Sequence, residues 1–171
     1  MLFSEYYPDY FTATILEWKH LLKQDKYKDI IVLSLKFLVK ENRIKVFGFV
    51  VMSNHIHVIW QVQPNFQPKD IQLSFMRYTA QMIIKDLRNN HQKVLEIFKV
   101  KASDRKFQIW ERKPLSISLW TQPVFKQKLD YIHSNPVLAG LCSYPEDYKY
   151  SSASFYIKAN SDWSFLTHYN A

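Results

Sequence analysis

Two histidines stand one residue apart in the apolar stretch VMSNHIHVIW, residues 51–60. If this stretch is a strand, His55 and His57 project from one face, while Ile56 between them projects from the other. Neutral imidazoles bind divalent metals well, and two of them leave coordination positions open for water and substrate. The pair therefore indicates a catalytic metal site. An isolated His-x-His motif is also compatible with histidines that only hydrogen-bond to the backbone.

A second group of reactive side chains lies in TQPVFKQKLDYIHSN, residues 121–135. The pattern predicts a helix that begins after Thr121 as N-cap and is stopped by Pro136. Tyr131 and Asn135 are four residues apart, so they share one face of that helix. A tyrosine can act as a nucleophile, and an amide oxygen can bind a hard cation. The same two residues also fit an ordinary ring followed by a helix cap before proline.

These side chains together suit phosphoryl transfer, which needs a nucleophile in line with a phosphate whose charge a cation neutralises. The chain has only two glycines, and neither GxGxxG nor GxxxxGK[ST] occurs in it. It therefore has no glycine-rich phosphate loop of those types. We expect chemistry that needs no bound ATP or NAD.

The composition favours a polyanionic partner. Among 171 residues the net charge is +8, and aromatic residues make up 16%. A basic balance favours nucleic acid first and anionic membrane second, and rings beside cations can stack on unpaired bases. No apolar run is long enough to span a membrane, no signal peptide is visible, and Cys142 is the single cysteine, so we expect a cytoplasmic protein. The weaker candidates for DNA contacts are Lys85, Arg88, Lys99, Lys101, Arg105 and Arg112.

The periodicity predicts an α+β protein with a ferredoxin-like antiparallel sheet of the split βαβ type. We expect two helices on one face of the sheet, extra C-terminal helices, and an open second face that carries the imidazoles. The whole chain, 1–171, is expected to be one domain, with 1–8 and 157–171 as peripheral tails. The predicted elements are a strand early in 10–22, a helix in 24–43, strands in 44–53 and 54–63 joined by a tight turn at Ser53-Asn54, a helix in 69–90, an irregular basic segment 91–106, a short strand followed by a loop in 107–120, and the helix 121–135.

The sequence resembles the HUH (histidine-hydrophobe-histidine) single-tyrosine transposases of bacterial insertion sequences. MSNHIHVI is similar to their MPNHxHLL strand. LDYIHSNPVLAGL, followed by PEDYKYSSASFY, is similar to the tail of the REP-associated tyrosine transposases, YIHxNPVxAGL…PEdWpwSSy. The resemblance runs from the first predicted strand to residue 156. Both motifs occur in the expected order and spacing.

The resemblance implies that His55 and His57 bind Mg²⁺ or Mn²⁺, with Asn135 as a third ligand. It implies that Tyr131 becomes joined to a DNA 5′-phosphate, and that the substrate is single-stranded DNA folded into a hairpin. Family members are often dimers, so a homodimer is also expected. The chain departs from the pattern at Ser53, where the motif has proline, and at PLSISLW, where the branch has a YHEH-like stretch.

Two alternatives remain at the level of sequence. The chain could be a former transposase that only binds hairpin DNA or RNA, in which case it would not need all four site residues. It could also be a metal-dependent phosphodiesterase that uses water, in which case Tyr131 would be dispensable. His133 lies two residues after Tyr131, off that face of a regular helix. We therefore expect it to be structural or to contact DNA.

Overall fold

Four antiparallel strands form one sheet in the computed structural model, which describes residues 7–159 and 162–171. Across the sheet the order is β2 (Ile44–Val51), β3 (His55–Val62), β1 (Asp9–Thr14) and β4 (Leu115–Ser118). The α-helices are α1 (Asp25–Lys40), α2 (Pro68–Asn90), α3 (Gln92–Ile97), α4 (Gln122–Leu138) and α5 (Ala153–Ile157). The predicted α+β, ferredoxin-like class is confirmed. Within the described ranges, no helix is both long and apolar enough to cross a membrane.

One face of the sheet carries the main core, against α1 and α2. Ile56, Val58 and Trp60 of β3 are buried there, as their alternation with the histidines predicts. The Trp60 ring packs edge-on against Phe75 of α2, with ring centroids 5.6 Å apart. Burial of such large apolar side chains is the dominant stabilising contribution to the fold. It also fixes the register of β3 and thereby sends both imidazoles to the opposite face.

That opposite face is not open, so this expectation was wrong. Helix α4 packs across it and buries a second apolar cluster between helix and sheet. Phe125, Leu129 and Ile132 supply the helix side of this cluster. A helix with an apolar stripe must bury that stripe, and the sheet face beside the histidines offers the matching apolar surface. Tyr131 and Asn135 therefore approach the sheet on the same helix as these core residues.

Gly48 lies where α4 comes closest to β2. A Cβ atom at this position would stand 2.5 Å from Leu129 Cδ1 and 3.3 Å from Ser152 Oγ. Only glycine leaves room for so close an approach. A shift in the strand register falls between Val46 and Gly48, so a bulge accompanies the contact. One of the two glycines of the chain therefore sets the height of α4 above the sheet.

Helix α4 begins as predicted but continues past Pro136. The Thr121 side chain accepts a hydrogen bond from the Val124 N–H, which confirms Thr121 as the N-cap. Pro136 lies inside the helix, so the expectation that it stops the helix was wrong. The helix ends at Leu138 and is followed by Gly140, whose φ of 72° is left-handed. The N–H groups of Gly140 and Leu141 donate to earlier carbonyls in a Schellman motif.

The segment between α2 and α4 differs from the prediction in two places. Residues 92–97, expected to be irregular, form α3, which buries Leu95. In 107–120 the order is reversed, because the loop comes first and the strand β4 follows directly after Pro114. Proline has no N–H to give to a ladder, so pairing with β1 starts only after it.

The end of the chain returns to the sheet. Phe165 is buried, and the Thr167 N–H donates to the Val46 carbonyl at 2.8 Å. This part of the expected peripheral tail, 157–171, therefore packs against β2. Residues 1–6 of the other expected tail, and residues 160–161, lie outside the described residues.

Candidate functional site

Three aromatic rings from two elements meet on the α4 side of the sheet. The His55 and His57 rings are 4.8 Å apart between centroids, and the Tyr131 ring lies 5.5 Å from that of His57. Tyr131 is 48% exposed, so its hydroxyl can be reached from solvent. The strand β3 and the helix α4 thus bring together the two motifs that the sequence places more than seventy residues apart. Both motifs belong to the same chain.

His57 is held by the neighbouring strand. Thr12 of β1 lies directly opposite His57, and its Oγ1 is 2.7 Å from His57 Nδ1. The Tyr10 hydroxyl approaches the same nitrogen at 2.9 Å. His57 is only 5% exposed, so the expectation that it faces outward was wrong, because α4 and its neighbours cover it. Two oxygens therefore fix the ring on its Nδ1 side.

The other nitrogen of His57 has no partner. Among the described residues, His57 Nε2 and the Trp60 indole nitrogen are the buried side-chain polar atoms without a hydrogen bond. A buried polar atom that lacks a partner costs free energy, so such atoms are rare and often mark a function. In the tautomer that carries its proton on Nδ1, this N–H donates to Thr12 or Tyr10, and Nε2 keeps a lone pair. That lone pair is what a metal ligand needs.

His55 is oriented by the turn that precedes it. Its Nδ1 lies 2.7 Å from Asn54 Oδ1, and Asn54 Nδ2 donates to the Trp18 carbonyl at 3.4 Å. Because Asn54 Oδ1 can only accept, His55 carries its proton on Nδ1 and keeps a lone pair on Nε2. The predicted turn at Ser53-Asn54 is confirmed, since the Met52 N–H donates to the His55 carbonyl across it.

Both imidazoles are neutral at pH 7. Burial, together with electrostatic repulsion from His55 and Lys128, lowers the pKa of His57 to about 3. Burial also lowers the pKa of His55. Neutral imidazole is the form that binds metal, so desolvation prepares both ligands. Lys128 places its Nζ over the Tyr10 ring, 4.9 Å from the centroid, and so contributes positive charge beside the site.

The residues present fit a divalent cation. The two imidazoles offer nitrogen donors that are already oriented through their Nδ1 atoms. In the part of the chain that the structure describes, no group of three or more His, Cys, Asp or Glu residues could hold a metal. A third protein ligand must therefore be of another type. Asn135 is half-buried and lies one turn after Tyr131 on α4, which suits an amide oxygen donor.

His133 has a structural role. It is buried, and its Nε2 lies 2.8 Å from Ser152 Oγ, which also receives the Phe49 N–H. Burial lowers the pKa of His133 to about 4. The side chain therefore joins α4 to β2 through the serine. It lies apart from the cluster of His55, His57 and Tyr131 rings. Its burial confirms the structural one of the two roles expected for it.

The predicted DNA contacts divide into two groups. Lys85 and Arg88 line a cleft that they share with Lys106 and Phe107, beside a larger neighbouring space of about 430 Å³. The remaining candidates lie away from this cleft or beside carboxylates: Lys99 is 3.5 Å from Glu96, Arg105 and Arg112 approach Asp104, and Lys101 is exposed. Because α2 packs on the Trp60 side of the sheet, the cleft and the imidazoles belong to opposite faces.

Several residues that lie at the site were not predicted from the sequence. Lys128 could have been found, because it precedes Tyr131 by three residues and so shares its helix face. Tyr10 and Thr12 could not, since their contact with His57 depends on the register between β1 and β3. Trp18 also reaches the site, with its ring 6.0 Å from that of His55. Nothing in its sequence neighbourhood indicates this contact.

Comparison with known proteins places these features in a family. Residues 13–112 match the family model described as "Transposase IS200 like", a range that includes both histidines and ends before Tyr131. The fold is similar to a solved REP-associated tyrosine transposase bound to a REP hairpin, with TM-score 0.61 and 17% identity over 90% of this chain and 82% of that one. It is also similar to a protein of Deinococcus radiodurans R1 assigned as a transposase, with TM-score 0.51 and 13% identity over 78% and 94% of the two chains. A comparison with curated proteins finds no match.

Proposed function

Because this chain belongs to the IS200-like transposase family, we propose that it is a metal-dependent enzyme that cleaves and rejoins single-stranded DNA folded into a hairpin. The reaction passes through a 5′-phosphotyrosine on Tyr131. The observation that carries the proposal is the contact between the Tyr131 ring and His57, whose buried Nε2 has no partner. A nucleophile and an oriented, unsatisfied metal ligand in contact with each other fit phosphoryl transfer better than a purely structural role.

The chemistry of Tyr131 balances without a nucleotide cofactor. Its hydroxyl oxygen attacks a phosphorus of the DNA strand, the bond from phosphorus to the 3′ oxygen breaks, and the 3′ oxygen leaves as a hydroxyl with the proton that the phenol gives up. A 3′-hydroxyl that later attacks the phosphotyrosine restores the phenol and rejoins a strand. The number of phosphoester bonds is unchanged at each step, so no ATP is needed.

The cation is proposed to be Mg²⁺ or Mn²⁺, held by His55, His57 and Asn135. When bound, it would neutralise and polarise the scissile phosphate. The chain supplies the rest of the arrangement. Thr12 and Tyr10 hold the His57 ring, and Lys128 adds a positive charge that attracts the phosphate.

The DNA is proposed to contact two surfaces. The strand to be cut must reach Tyr131, whereas the cleft formed by Lys85, Arg88, Lys106 and Phe107 offers cations around a ring on the other face of the sheet. Phosphates of the hairpin stem suit this cleft, because they need charge and no base-specific contact. A solved REP-associated transposase is named as bound to a REP hairpin, and this supports a hairpin ligand here.

The test is a covalent-adduct assay. Labelled single-stranded hairpins from the DNA flanking the gene are incubated with protein and Mn²⁺ and then run on a denaturing gel. The wild type should give cleaved DNA and a protein–DNA band. Tyr131→Phe should bind the hairpin but give neither product. Tyr144→Phe is the matched control, because Tyr144 is even more exposed but lies outside the site.

Two outcomes would change the proposal. If Tyr131→Phe still nicks DNA at the wild-type rate, water is the nucleophile and the protein is a phosphodiesterase. If the wild type binds hairpins tightly but forms no adduct with either Mg²⁺ or Mn²⁺, it is a DNA-binding protein without cleavage activity. A homodimer is also proposed, and light scattering on the free protein and on the DNA complex tests it separately from the adduct assay.

A further inference from the structure

Trp18 is exposed at the edge of the candidate site. Its side chain is 60% exposed, although tryptophan is mostly buried in folded proteins. Its ring lies 6.0 Å from that of His55 in an edge-to-face arrangement. The rings of Trp18, His55, His57 and Tyr131 therefore follow one another in a row, with only the two imidazoles between the indole and the phenol.

The backbone holds this indole outward in a strained conformation. Glu17 and Trp18 have φ values of 53° and 56°, in the left-handed region that side chains other than glycine rarely adopt. Two such residues in succession persist only where the surroundings fix them, and such strain is concentrated at functional sites. Glycine at either position would relieve this strain, but the chain has Glu17 and Trp18 there.

The surroundings do fix this segment. The N–H groups of four successive residues, 15–18, all donate hydrogen bonds. Glu17 donates to Glu111 Oε1 at 2.7 Å, and Trp18 donates to the Ile15 carbonyl at 2.9 Å. The indole is thus presented on a rigid support, so binding against it costs little conformational entropy.

The backbone that holds the indole is also linked to His55, a proposed metal ligand. The Trp18 carbonyl accepts from Asn54 Nδ2, and Asn54 Oδ1 accepts from His55 Nδ1. One amide therefore sets the position of both the indole and the imidazole. A base placed against Trp18 would be held at a fixed distance from His55, the proposed ligand of the cation.

We propose that Trp18 is a stacking platform for an unpaired base of the DNA strand that enters the site, and that it positions that strand for attack by Tyr131. This inference rests on the proposed function. A flat, exposed, rigidly held indole offers a face to any base, because every base has a π-face. Trp18 is therefore a positioning residue that selects single-stranded over duplex DNA, since paired bases cannot leave the stack to reach it.

The experiment separates base stacking from attraction to phosphates. The parent protein is the full chain with Tyr131→Phe, so that no strand is cut. Its affinity is measured by fluorescence anisotropy for a twelve-residue oligothymidylate and for an abasic strand of the same length and charge. Trp18→Ala and Trp18→Phe are compared in this background. Trp120→Ala is the matched control, since Trp120 is 67% exposed and lies at the opposite end of β1.

The parent should bind oligothymidylate more tightly than the abasic strand. Trp18→Ala should weaken oligothymidylate binding by roughly 5- to 150-fold, the effect of one stacked base, and leave abasic binding unchanged. Trp18→Phe should keep most of the preference, and Trp120→Ala should keep all of it. In otherwise wild-type protein, Trp18→Ala should slow adduct formation on a single strand.

Two results would overturn the inference: equal affinity of the parent for the two strands, or an equal loss of affinity for both strands in Trp18→Ala. Either can occur while Tyr131 still forms its adduct, in which case the proposed function stands and only the role of Trp18 fails. If instead the base preference depends on Trp18 but no adduct forms, stacking stands and the proposed chemistry fails.

Discussion

The close approach at Gly48 leads to a prediction about the distance between Tyr131 and the imidazoles. In Gly48→Ala the new Cβ would lie 2.5 Å from Leu129 Cδ1, whereas carbon atoms in contact are about 3.5–4.0 Å apart. The gap must therefore open by about 1 Å. Either Leu129 leaves its rotamer within a packed cluster, or α4 rises from the sheet and carries Tyr131 with it.

Both responses have a cost that can be stated. Overpacking a core costs about 1–3 kcal/mol. Replacing a glycine also lowers the conformational entropy of the unfolded chain, which stabilises the folded protein by about 0.4–1 kcal/mol. We therefore expect Gly48→Ala to lower the free energy of unfolding by about 1–2 kcal/mol, or a melting temperature lower by roughly 2–8 °C for a protein of this size. If α4 moves by about 1 Å, cleavage should slow by roughly 100-fold.

The assay combines thermal unfolding with single-turnover cleavage of a hairpin substrate. The matched variant is Leu129→Val, which removes the atom that the new methyl group would meet. In that background Gly48→Ala should cost little stability and little activity, so the double-mutant cycle should give a coupling of about 1 kcal/mol or more. The thermal scan also shows whether any lost activity comes only from unfolding.

The reasoning fails if Gly48→Ala melts and cleaves like the wild type, because the approach of α4 would then not limit the site. It also fails if Leu129→Val gives no rescue. A stability loss with full activity would mean that Leu129 moves and α4 stays in place.

Four further predictions concern ligands, stability and charge. Mn²⁺ at 100 times its dissociation constant should raise the free energy of unfolding by about 2.7 kcal/mol in the wild type and not in His55→Ala, as thermal melts with and without EDTA will show. His57→Ala should itself destabilise the metal-free protein, by about 3 kcal/mol in denaturant unfolding, because His57 is buried and its loss leaves a cavity and removes its hydrogen bonds to Tyr10 and Thr12. Stability equal to that of the wild type would contradict the burial. Burial lowers the pKa of His133 from its ordinary 6.5 to about 4. The neutral side chain therefore contributes its full stability above pH 6.5, and this contribution is lost as the pH falls through 4. Between pH 6.5 and 4, the free energy of unfolding of His133→Gln should fall by about 3 kcal/mol less than that of the wild type, as unfolding at a series of pH values will show. Hairpin affinity should fall with salt, and the combined Lys85→Ala and Arg88→Ala variant should have a shallower slope of log affinity against log salt, by roughly 0.9 per lost phosphate contact on the duplex stem. An unchanged slope would show that the DNA does not contact the cleft.

Short-range patterns in the sequence predicted much of the fold and of the candidate site. Alternation over β3 predicted that Ile56 and Trp60 are buried and that the histidines share the other face, because side chains in a strand alternate strictly. The four-residue spacing of Tyr131 and Asn135 placed them one helical turn apart for the same kind of reason. The motifs also identified the family, since few residues at fixed spacing carry its chemistry.

Long-range contacts decided the rest, because no local pattern states which face α4 covers. The second core between α4 and the sheet buried His57, which the strand alone left exposed, and Gly48 set how closely the helix could approach. The pairing of β1 with β3 supplied Thr12 to His57, and the left-handed turn at Trp18 brought an indole to His55. Each of these contacts joins residues far apart in the chain, so its geometry depends on packing and register, which only the folded structure fixes.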